Sequence, residues 1–291
     1  MATTTKILVC SHKEDYVRND SIYMPIQVGK VNATANLGFQ GDDSGENISY
    51  KNLSYCELTA LYWAWKNLKK VDYIGLCHYR RYFDFSKSGL ATVTPDIMDK
   101  IISYPDVKLF EKYDVVLPQP IPINCSVFSF YNKMHPIEDM LILTKVIQKM
   151  TPEYYTSWKD YIRNVNHWIP CNMFLCKREL LCEYSGWLFP LLEELEKWVR
   201  LSPYSYQKRI YGFLGEILLP FYCYHHKLRI LHRPIVFVGD SIVKRKVWKT
   251  FIAKYVSNIS FILGRIVDKE DLHELTELFH PYMKRDGIII E

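Results

Sequence analysis

The sequence has 291 residues, a length that fits one large α/β domain or two small ones. Apolar residues make up 48% and charged residues 24%, a balance that allows a sizeable core. The formal charge of +5 is too small for the concentrated basic face of a nucleic-acid binder, so no nucleic acid is expected as a partner. This charge does suit anionic partners, such as a nucleotide diphosphate or an acidic lipid surface.

The N-terminal segment MATTTKILVC lacks the apolar region of a signal peptide, and no uncharged apolar window is long enough to span a membrane. The eight cysteines form no Cys-x-x-Cys pair. Cys10, Cys77 and Cys176 lie in apolar runs typical of buried strands, which indicates reduced thiols in a reducing compartment. We therefore expect a cytoplasmic protein.

Short apolar runs alternate with amphipathic stretches along the chain. This alternation predicts an α/β fold with a mostly parallel sheet and helices on both faces. Ligands of such sheets bind beyond the carboxyl ends of the strands, which directs attention to His12, the loop at 42–47, the segment at 78–83 and residues 118–122. In chain order we predict strands at 6–11 and 25–29, a helix at 54–69, and strands at 72–77 and 113–118. Further along the chain we predict helices at 134–150 and from 151, a strand at 172–176, and helices at 178–199 and 206–225. The last predicted element is a strand at 228–238 that is broken by Pro234.

Two helix starts carry local signals. Ser54 and Glu57 form a Ser-x-x-Glu capping box. Thr151 precedes Pro152, which suits the first position of a helix.

His78, Arg80 and Arg81 follow a predicted buried strand. If the strand stays extended, His78 and Arg80 share one side and Arg81 faces the other. An unpaired buried charge is costly, and a guanidinium binds phosphate bidentately, so these residues predict a diphosphate site. The alternative is a local ion-pair network in which an arginine pairs with Glu57 or Asp84.

Carboxylates in two places are candidates for chemistry. Asp42 and Asp43 lie in a polar loop that suits a divalent cation or sugar hydroxyls, although the loop departs from the EF-hand pattern and a solvated turn remains open. Glu216 lies in an apolar stretch after two glycines and is a candidate general base. Its alternative is a pair with Arg209 or Arg229.

Asn172, before a predicted strand, is a candidate contact to donor or acceptor, with a strand-entry turn as the alternative. His225, His226 and His232 match no zinc spacing, so no metal site is predicted. The absence of Gly-x-Gly-x-x-Gly, P-loop and Gly-x-Ser-x-Gly motifs leaves oxidoreductase, kinase and serine hydrolase activities without support.

Residues 244–265 interleave basic and aromatic side chains. A basic amphipathic helix of this kind lies on an anionic membrane surface, and the alternative is an ordinary helix packed on the domain. We therefore predict a catalytic domain at 1–240 and a C-terminal basic amphipathic helical segment at 241–291.

Six short segments carry a resemblance to a known family: NIS (47–49), CELTALYW (56–63), GLCHYRRYF (75–83), NMF (172–174), WLFP (187–190) and GFLGE (212–216). The most specific of them contains HYRRYF, and the resemblance covers roughly residues 5–238. These segments resemble a bacterial family found in capsule and O-antigen gene clusters. The family is catalogued as a domain of unknown function, and some members are described as galactofuranosyltransferases.

The resemblance implies a GT-A-like, Rossmann-related nucleotide-sugar transferase. Many GT-A enzymes carry an Asp-x-Asp metal motif where this sequence has His78-x-Arg80. We therefore expect cationic side chains to stabilise the departing diphosphate, with a divalent cation as the alternative cofactor.

The expected reaction moves galactofuranose from UDP-galactofuranose to a hydroxyl of a growing lipid-linked oligosaccharide at the inner face of the cytoplasmic membrane. Glu216 or Asp43 is the expected catalytic base. The alternatives are another donor, such as UDP-galactopyranose or a deoxysugar nucleotide, and a non-catalytic carbohydrate-binding or assembly protein. The residues expected to hold the nucleotide sugar are His12, His78, Arg80, Arg81, Asp42 and Asn172.

Overall fold

The computed structural model describes residues 3–267, 272–285 and 287. None of the helices in this part of the chain has the length and apolar character needed to cross a bilayer. The strands are β1 (Thr5–Ser11), β2 (Tyr23–Gln27), β3 (Gln40–Gly41), β4 (Tyr73–His78), β5 (Arg81–Phe83), β6 (Leu90–Val93), β7 (Val115–Pro118), β8 (Ile121–Pro122), β9 (His167–Trp168), β10 (Phe174–Lys177), β11 (Ile230–Arg233), β12 (Ile235–Val238) and β13 (Val243–Lys244). The α-helices are α1 (Asn52–Tyr55), α2 (Leu58–Asn67), α3 (Pro95–Ile101), α4 (Val127–Asn132), α5 (Ile137–Met150), α6 (Pro152–Asn164), α7 (Arg178–Glu196), α8 (Ile210–His225), α9 (Val247–Val267) and α10 (Leu272–Arg285).

The central sheet has the strand order β3-β2-β1-β4-β10-β7-β11. β3, β2, β1 and β4 pair in parallel, and β7 pairs in parallel with β11. Of these described strands, β10 runs in the opposite direction, because it pairs antiparallel with both β4 and β7. The apolar run of β1 is buried from Ile7 to Cys10, as a strand covered on both faces requires. The predicted α/β fold with a mostly parallel central sheet is confirmed.

The order of the first strands creates a switch point. From β1 the chain forms β2 on one side and later β4 on the other, so a crevice opens at the carboxyl ends of β1 and β4. His12 follows β1, Asp42 follows β3, and His78 ends β4. Because β10 is antiparallel to β4, Asn172 before β10 lies at the same end. We call this end of the sheet the carboxyl edge.

A second group of strands extends from the end of β4. β5 forms a hairpin with β4, in which Arg81 lies opposite His78, and then pairs antiparallel with β12. β12 continues the sheet to β6 and β13. The predicted break of the late strand at Pro234 is confirmed, because Pro234 separates β11 from β12.

The capping box predicted for the helix at 54–69 is wrong. Cys56 has a left-handed φ of 51°, which ends α1 and lets α2 begin at Leu58. The Ser54 hydroxyl donates to the Lys51 carbonyl oxygen (3.2 Å), and the Glu57 carboxylate makes no capping hydrogen bond. The capping box fails because the chain turns sharply between its two members.

The second predicted helix start is confirmed in part. α6 begins at Pro152, but the Thr151 hydroxyl donates to the Ile147 carbonyl oxygen of α5 instead of capping α6. Inside this pair of helices, the fully buried Trp158 donates its indole N–H to Thr144 Oγ1 (2.9 Å). This hydrogen bond satisfies the polar atom of a large buried aromatic side chain.

Packing divides the chain into two units that are discontinuous in sequence. One comprises Met1–Pro120, Ile169–Gly186 and Arg209–Lys246, and the other Ile121–Trp168, Trp187–Lys208 and Val247–Glu291. The predicted functional boundary at residue 240 stays a prediction. Within the predicted segment 241–291, the described helices are α9 and α10, and residues 268–271, 286 and 288–291 lie outside the described residues.

The eight cysteines form no disulfide, and Cys10, Cys77 and Cys176 are buried as predicted. Burial raises the pKa of each of these three thiols above its ordinary value. The three side chains therefore act as small apolar groups of the core.

Candidate active site

The turn before β10 carries a strained backbone at the carboxyl edge. Cys171 and Asn172 have left-handed φ values of 76° and 47°, which non-glycine residues adopt at a cost. His78 Nε2 donates to the Cys171 carbonyl oxygen (2.8 Å). The Asn172 amide donates to Glu57 Oε1 (2.7 Å) and to the Gly212 carbonyl oxygen (2.9 Å). Three elements therefore hold this turn, an arrangement typical of a functional site.

The two glycines before Glu216 allow α8 to approach this turn closely. A Cβ atom at Gly212 would lie 2.9 Å from Cys56 Sγ, and one at Gly215 would lie 2.9 Å from Asn172 Oδ1. Both distances are too short for ordinary packing, so a side chain at Gly215 would displace Asn172 in this turn, and one at Gly212 would displace Cys56 between α1 and α2.

Asp42 is fully buried and holds the backbone of the carboxyl edge. Its carboxylate accepts hydrogen bonds from the backbone N–H groups of Gly29 (2.8 Å) and Lys30 (3.1 Å). It also accepts hydrogen bonds from the hydroxyls of Ser49 (2.5 Å) and Thr59 (2.6 Å). The contacts observed for Asp42 are therefore structural, and its role as a ligand contact stays a prediction.

The two predicted bases lie on different elements. Asp43 is exposed in the loop after β3, where its backbone carbonyl oxygen accepts a hydrogen bond from the Asn47 amide (3.0 Å). Glu216 is half-buried on α8 and lines a small cleft with Pro170, Asn172 and Met173. The alternative of a pair between Glu216 and Arg229 is wrong, because the Arg229 guanidinium binds Asp114.

The two adjacent arginines have different surroundings. The Arg80 side chain is 53% exposed in the hairpin turn and forms an ion pair with Asp15 (Nη2 to Oδ2, 2.9 Å). Arg81 is half-buried, with Cζ 5.8 Å from the Phe237 ring centroid, and no acidic side chain of the described residues pairs with it. Because Arg81 lies opposite His78 in an antiparallel pair, both side chains are on one face. The expectation that His78 and Arg80 share a side is therefore wrong, because the chain turns at residue 79.

The predicted alternative for these arginines is also wrong. The Glu57 carboxylate binds the Asn172 amide. The Asp84 carboxylate accepts hydrogen bonds from the Ser86 and Ser88 hydroxyls (2.9 and 3.0 Å). Neither carboxylate neutralises Arg80 or Arg81.

The surroundings of His12 are electropositive. Its ring makes an edge contact with Tyr79, with the centroids 5.8 Å apart. Partial burial lowers the pKa of His12, and the positive charges of Lys13, Arg209 and His78 lower it further. An anion bound at this place would offset that repulsion, so the carboxyl edge is suited to a negatively charged ligand.

Arg233 is a candidate site residue that was not predicted from the sequence. Arg233 ends β11 opposite Pro118 of β7, which places it at the carboxyl edge of a neighbouring pair of strands. Its Nε is buried and finds no hydrogen-bond partner among the described residues, nor does an acidic side chain there pair with its guanidinium. The available signal was a cation at the end of a predicted strand, immediately before Pro234.

The chemistry of the carboxyl edge favours anions. The hairpin between β4 and β5 carries His78, Arg80 and Arg81, which donate hydrogen bonds. The described residues contain no cluster of three or more His, Cys, Asp or Glu side chains with a geometry for metal binding. The side chains predicted for nucleotide-sugar binding therefore occupy one edge of the sheet, but their contact with a ligand stays a prediction.

Comparison with known proteins places this fold among glycosyltransferase structures. The fold is similar to that of the solved apo structure of WbbM, a bifunctional glycosyltransferase, with a TM-score of 0.76. The two sequences are 30% identical over the matched region. The match covers 82% of this chain and 46% of the WbbM chain, so this chain spans about half of WbbM. No curated protein matches the sequence significantly. The family described as a domain of unknown function, DUF4422, matches residues 6–227. The protein therefore belongs to the DUF4422 family.

Proposed function

We propose that this protein is a glycosyltransferase that moves a sugar from a UDP-linked donor to a hydroxyl of a surface polysaccharide. The observation that carries the proposal is Arg81, a cation at the switch point without an acidic partner in the described residues. The likeness to WbbM supports the reaction class, because that protein is a glycosyltransferase. A nucleotide diphosphate is the ligand that satisfies a guanidinium at the carboxyl edge of such a sheet.

The cations act on the leaving group. When the bond between the sugar and the diphosphate breaks, negative charge develops on the diphosphate oxygen, and fixed cations stabilise that charge. Arg81 is the main contact in this proposal. Arg80 contributes once it reorients from Asp15, and His12 contributes to the positive potential. In our proposal these side chains take the place of a divalent cation.

His78 contributes through its second ring nitrogen. Nε2–H donates to the Cys171 carbonyl oxygen, so a neutral ring has no N–H at Nδ1. A ring that carries hydrogen at both nitrogens donates from both, so in our proposal His78 offers Nδ1 to the diphosphate while Nε2 stays on the Cys171 carbonyl oxygen. Asp42 and Asn172 contribute to donor binding indirectly, because their hydrogen bonds fix the backbone of the carboxyl edge.

The donor and the acceptor follow from the family resemblance: we propose UDP-galactofuranose as the donor and a lipid-linked oligosaccharide as the acceptor. The role of Glu216 or Asp43 as the base stays a prediction from the sequence. The test offers the protein UDP-galactofuranose, UDP-galactopyranose and a deoxysugar nucleotide, and measures UDP release with an oligosaccharide acceptor. Release from UDP-galactofuranose alone supports the donor assignment. Glycan binding without UDP binding would instead favour a non-catalytic carbohydrate-binding or assembly protein.

We also propose that α9 rests on an anionic membrane surface. Residues 241–267 contain six Lys or Arg and no Asp or Glu. Nine apolar side chains cover an arc of about 180° at 100° per residue, with Lys249 on one flank and Lys254 on the other. Such a face suits the boundary between headgroups and acyl chains. The nine exposed residues are Val247, Trp248, Phe251, Ile252, Tyr255, Val256, Ile259, Ile262 and Leu263.

Vesicle binding tests this orientation. Each basic residue near an anionic surface contributes about 1 kcal/mol, so the Lys249→Gln, Lys254→Gln double variant is expected to bind phosphatidylglycerol-containing vesicles about 30-fold more weakly. Phosphatidylcholine vesicles are the control for charge. Equal sedimentation of wild type with both kinds of vesicle, or of both proteins with anionic vesicles, would contradict the proposal.

A further inference from the structure

Glu57 is a buried carboxylate without a cation. It lies immediately before α2, it is 9% exposed, and its one hydrogen bond from the described residues comes from the Asn172 amide to Oε1. No Lys, Arg or His of the described residues forms an ion pair with it. A buried carboxylate that lacks a full set of hydrogen-bond partners is costly to a fold. This cost indicates that Glu57 serves the protein's function and not the stability of its fold.

The second oxygen of Glu57 remains open to a ligand. Oε2 accepts no hydrogen bond from the described residues. It is also not fully buried, so it keeps some contact with solvent. An acceptor oxygen that is fixed on one side and reachable on the other suits a substrate hydroxyl.

The surrounding contacts fix the position of this carboxylate. Asn172, which binds Oε1, is itself anchored to the Gly212 carbonyl oxygen, and Gly215 leaves room for its amide. Asn172 precedes β10, which is antiparallel to β4, so the carboxylate held by the Asn172 amide lies at the carboxyl edge, where the sugar of a bound donor is expected.

We propose that Glu57 is the catalytic base of the transfer, an assignment that rests on the proposed function. The acceptor hydroxyl donates to Oε2. Its proton passes to Glu57 as its oxygen forms a bond to the anomeric carbon. The bond from that carbon to the diphosphate breaks, and its electron pair leaves with UDP, which Arg81 holds. Glu57 takes this role in place of Asp43, which is exposed on a loop, and Glu216, which lines the small cleft with Pro170 and Asn172.

The Glu57→Gln variant separates the base from its scaffold. Glutamine keeps an oxygen that accepts the Asn172 amide hydrogen bond but cannot take a proton at neutral pH. General-base catalysis contributes about 10²- to 10⁴-fold, so kcat is expected to fall by at least about 100-fold while the Kd for UDP stays within about twofold. The acidic limb of the kcat–pH profile is expected to disappear. Glu179→Gln, on the exposed first turn of α7, is the matched control and is expected to behave as wild type.

A second variant covers the case in which Glu57→Gln fails to fold. Glu57→Asp keeps the carboxylate but withdraws it by one methylene, so a reduced kcat with a retained acidic limb is expected. The assignment is overturned if Glu57→Gln keeps the wild-type kcat, if it raises only KM for the acceptor, or if Glu216→Gln or Asp43→Asn alone removes the acidic limb. Failure of wild type to bind UDP would overturn the proposed function itself, whereas normal UDP binding and turnover in Glu57→Gln would overturn only this assignment.

Discussion

Replacement of Arg81 by alanine is the most direct test of the diphosphate site. A hydrogen bond to a charged group contributes about 1.5–3 kcal/mol, and every 1.4 kcal/mol is tenfold in Kd. Arg81 has no acidic partner in the described residues, so UDP binding breaks no ion pair. The full free energy of the new hydrogen bond therefore adds to the free energy of UDP binding. Arg81→Ala is therefore expected to raise the Kd for UDP by about 10- to 150-fold.

Arg80 is expected to contribute less to the affinity. Its guanidinium is half-exposed and must give up its ion pair with Asp15 before it contacts the ligand. Such exposed pairs are worth about 0–1 kcal/mol, which is subtracted from the gain on binding. Arg80→Ala is therefore expected to weaken UDP binding by less than about tenfold. The order of the two effects distinguishes this site from a diffuse attraction between UDP and positive charge.

Calorimetric titration of UDP at fixed ionic strength measures both effects, with Arg229→Ala as the matched control. Arg229 resembles Arg80 in exposure and pairs with Asp114, but it lies at the start of β11, at the opposite edge of the sheet. Its replacement is expected to leave the Kd unchanged. If Arg81→Ala and Arg229→Ala give the same Kd as wild type, the reasoning about an unpaired cation at the switch point is refuted.

Three further predictions concern the metal, the buried loop anchor and a buried acid. Turnover is expected to persist in EDTA, and a loss of activity that manganese restores would contradict the cationic leaving-group site. Asp42→Ala leaves four donors, three of them buried, without this acceptor and is expected to lower the free energy of unfolding by about 3 kcal/mol or more, measured in urea; a change below about 1 kcal/mol would contradict this role. Burial raises the pKa of Asp139 to about 7, so wild-type stability falls as pH rises from about 4 to about 7, by up to about 4 kcal/mol. Asp139→Asn, whose amide oxygen still accepts the Tyr131 hydroxyl, is expected to raise Tm at pH 8 but not at pH 5, and an equal effect at both pH values would contradict this explanation.

Several strands follow from local sequence because a strand buried on both faces must be apolar throughout. The runs that became β1, β4, β7 and β10 were predicted for this reason, and Pro234 broke the late strand because proline cannot donate to a ladder. Local signals failed where the backbone adopts a left-handed turn. The Ser54 and Glu57 pattern has the spacing of a capping box, but the positive φ of Cys56 separates its members.

The amino-acid sequence by itself determined the α/β class, the edge of the sheet where a ligand is expected and the cationic segment that ends β4. The hydrophobic pattern and the carboxyl-end rule depend only on short-range order along the chain. Tertiary structure decided which charges are free. Asp15 neutralises Arg80 across 65 residues of sequence, and Asn172 reaches Glu57 across 115 residues. Pairings over such distances depend on strand order and helix packing, and they leave Arg81, Arg233 and Glu57 at the carboxyl edge without an oppositely charged partner among the described residues.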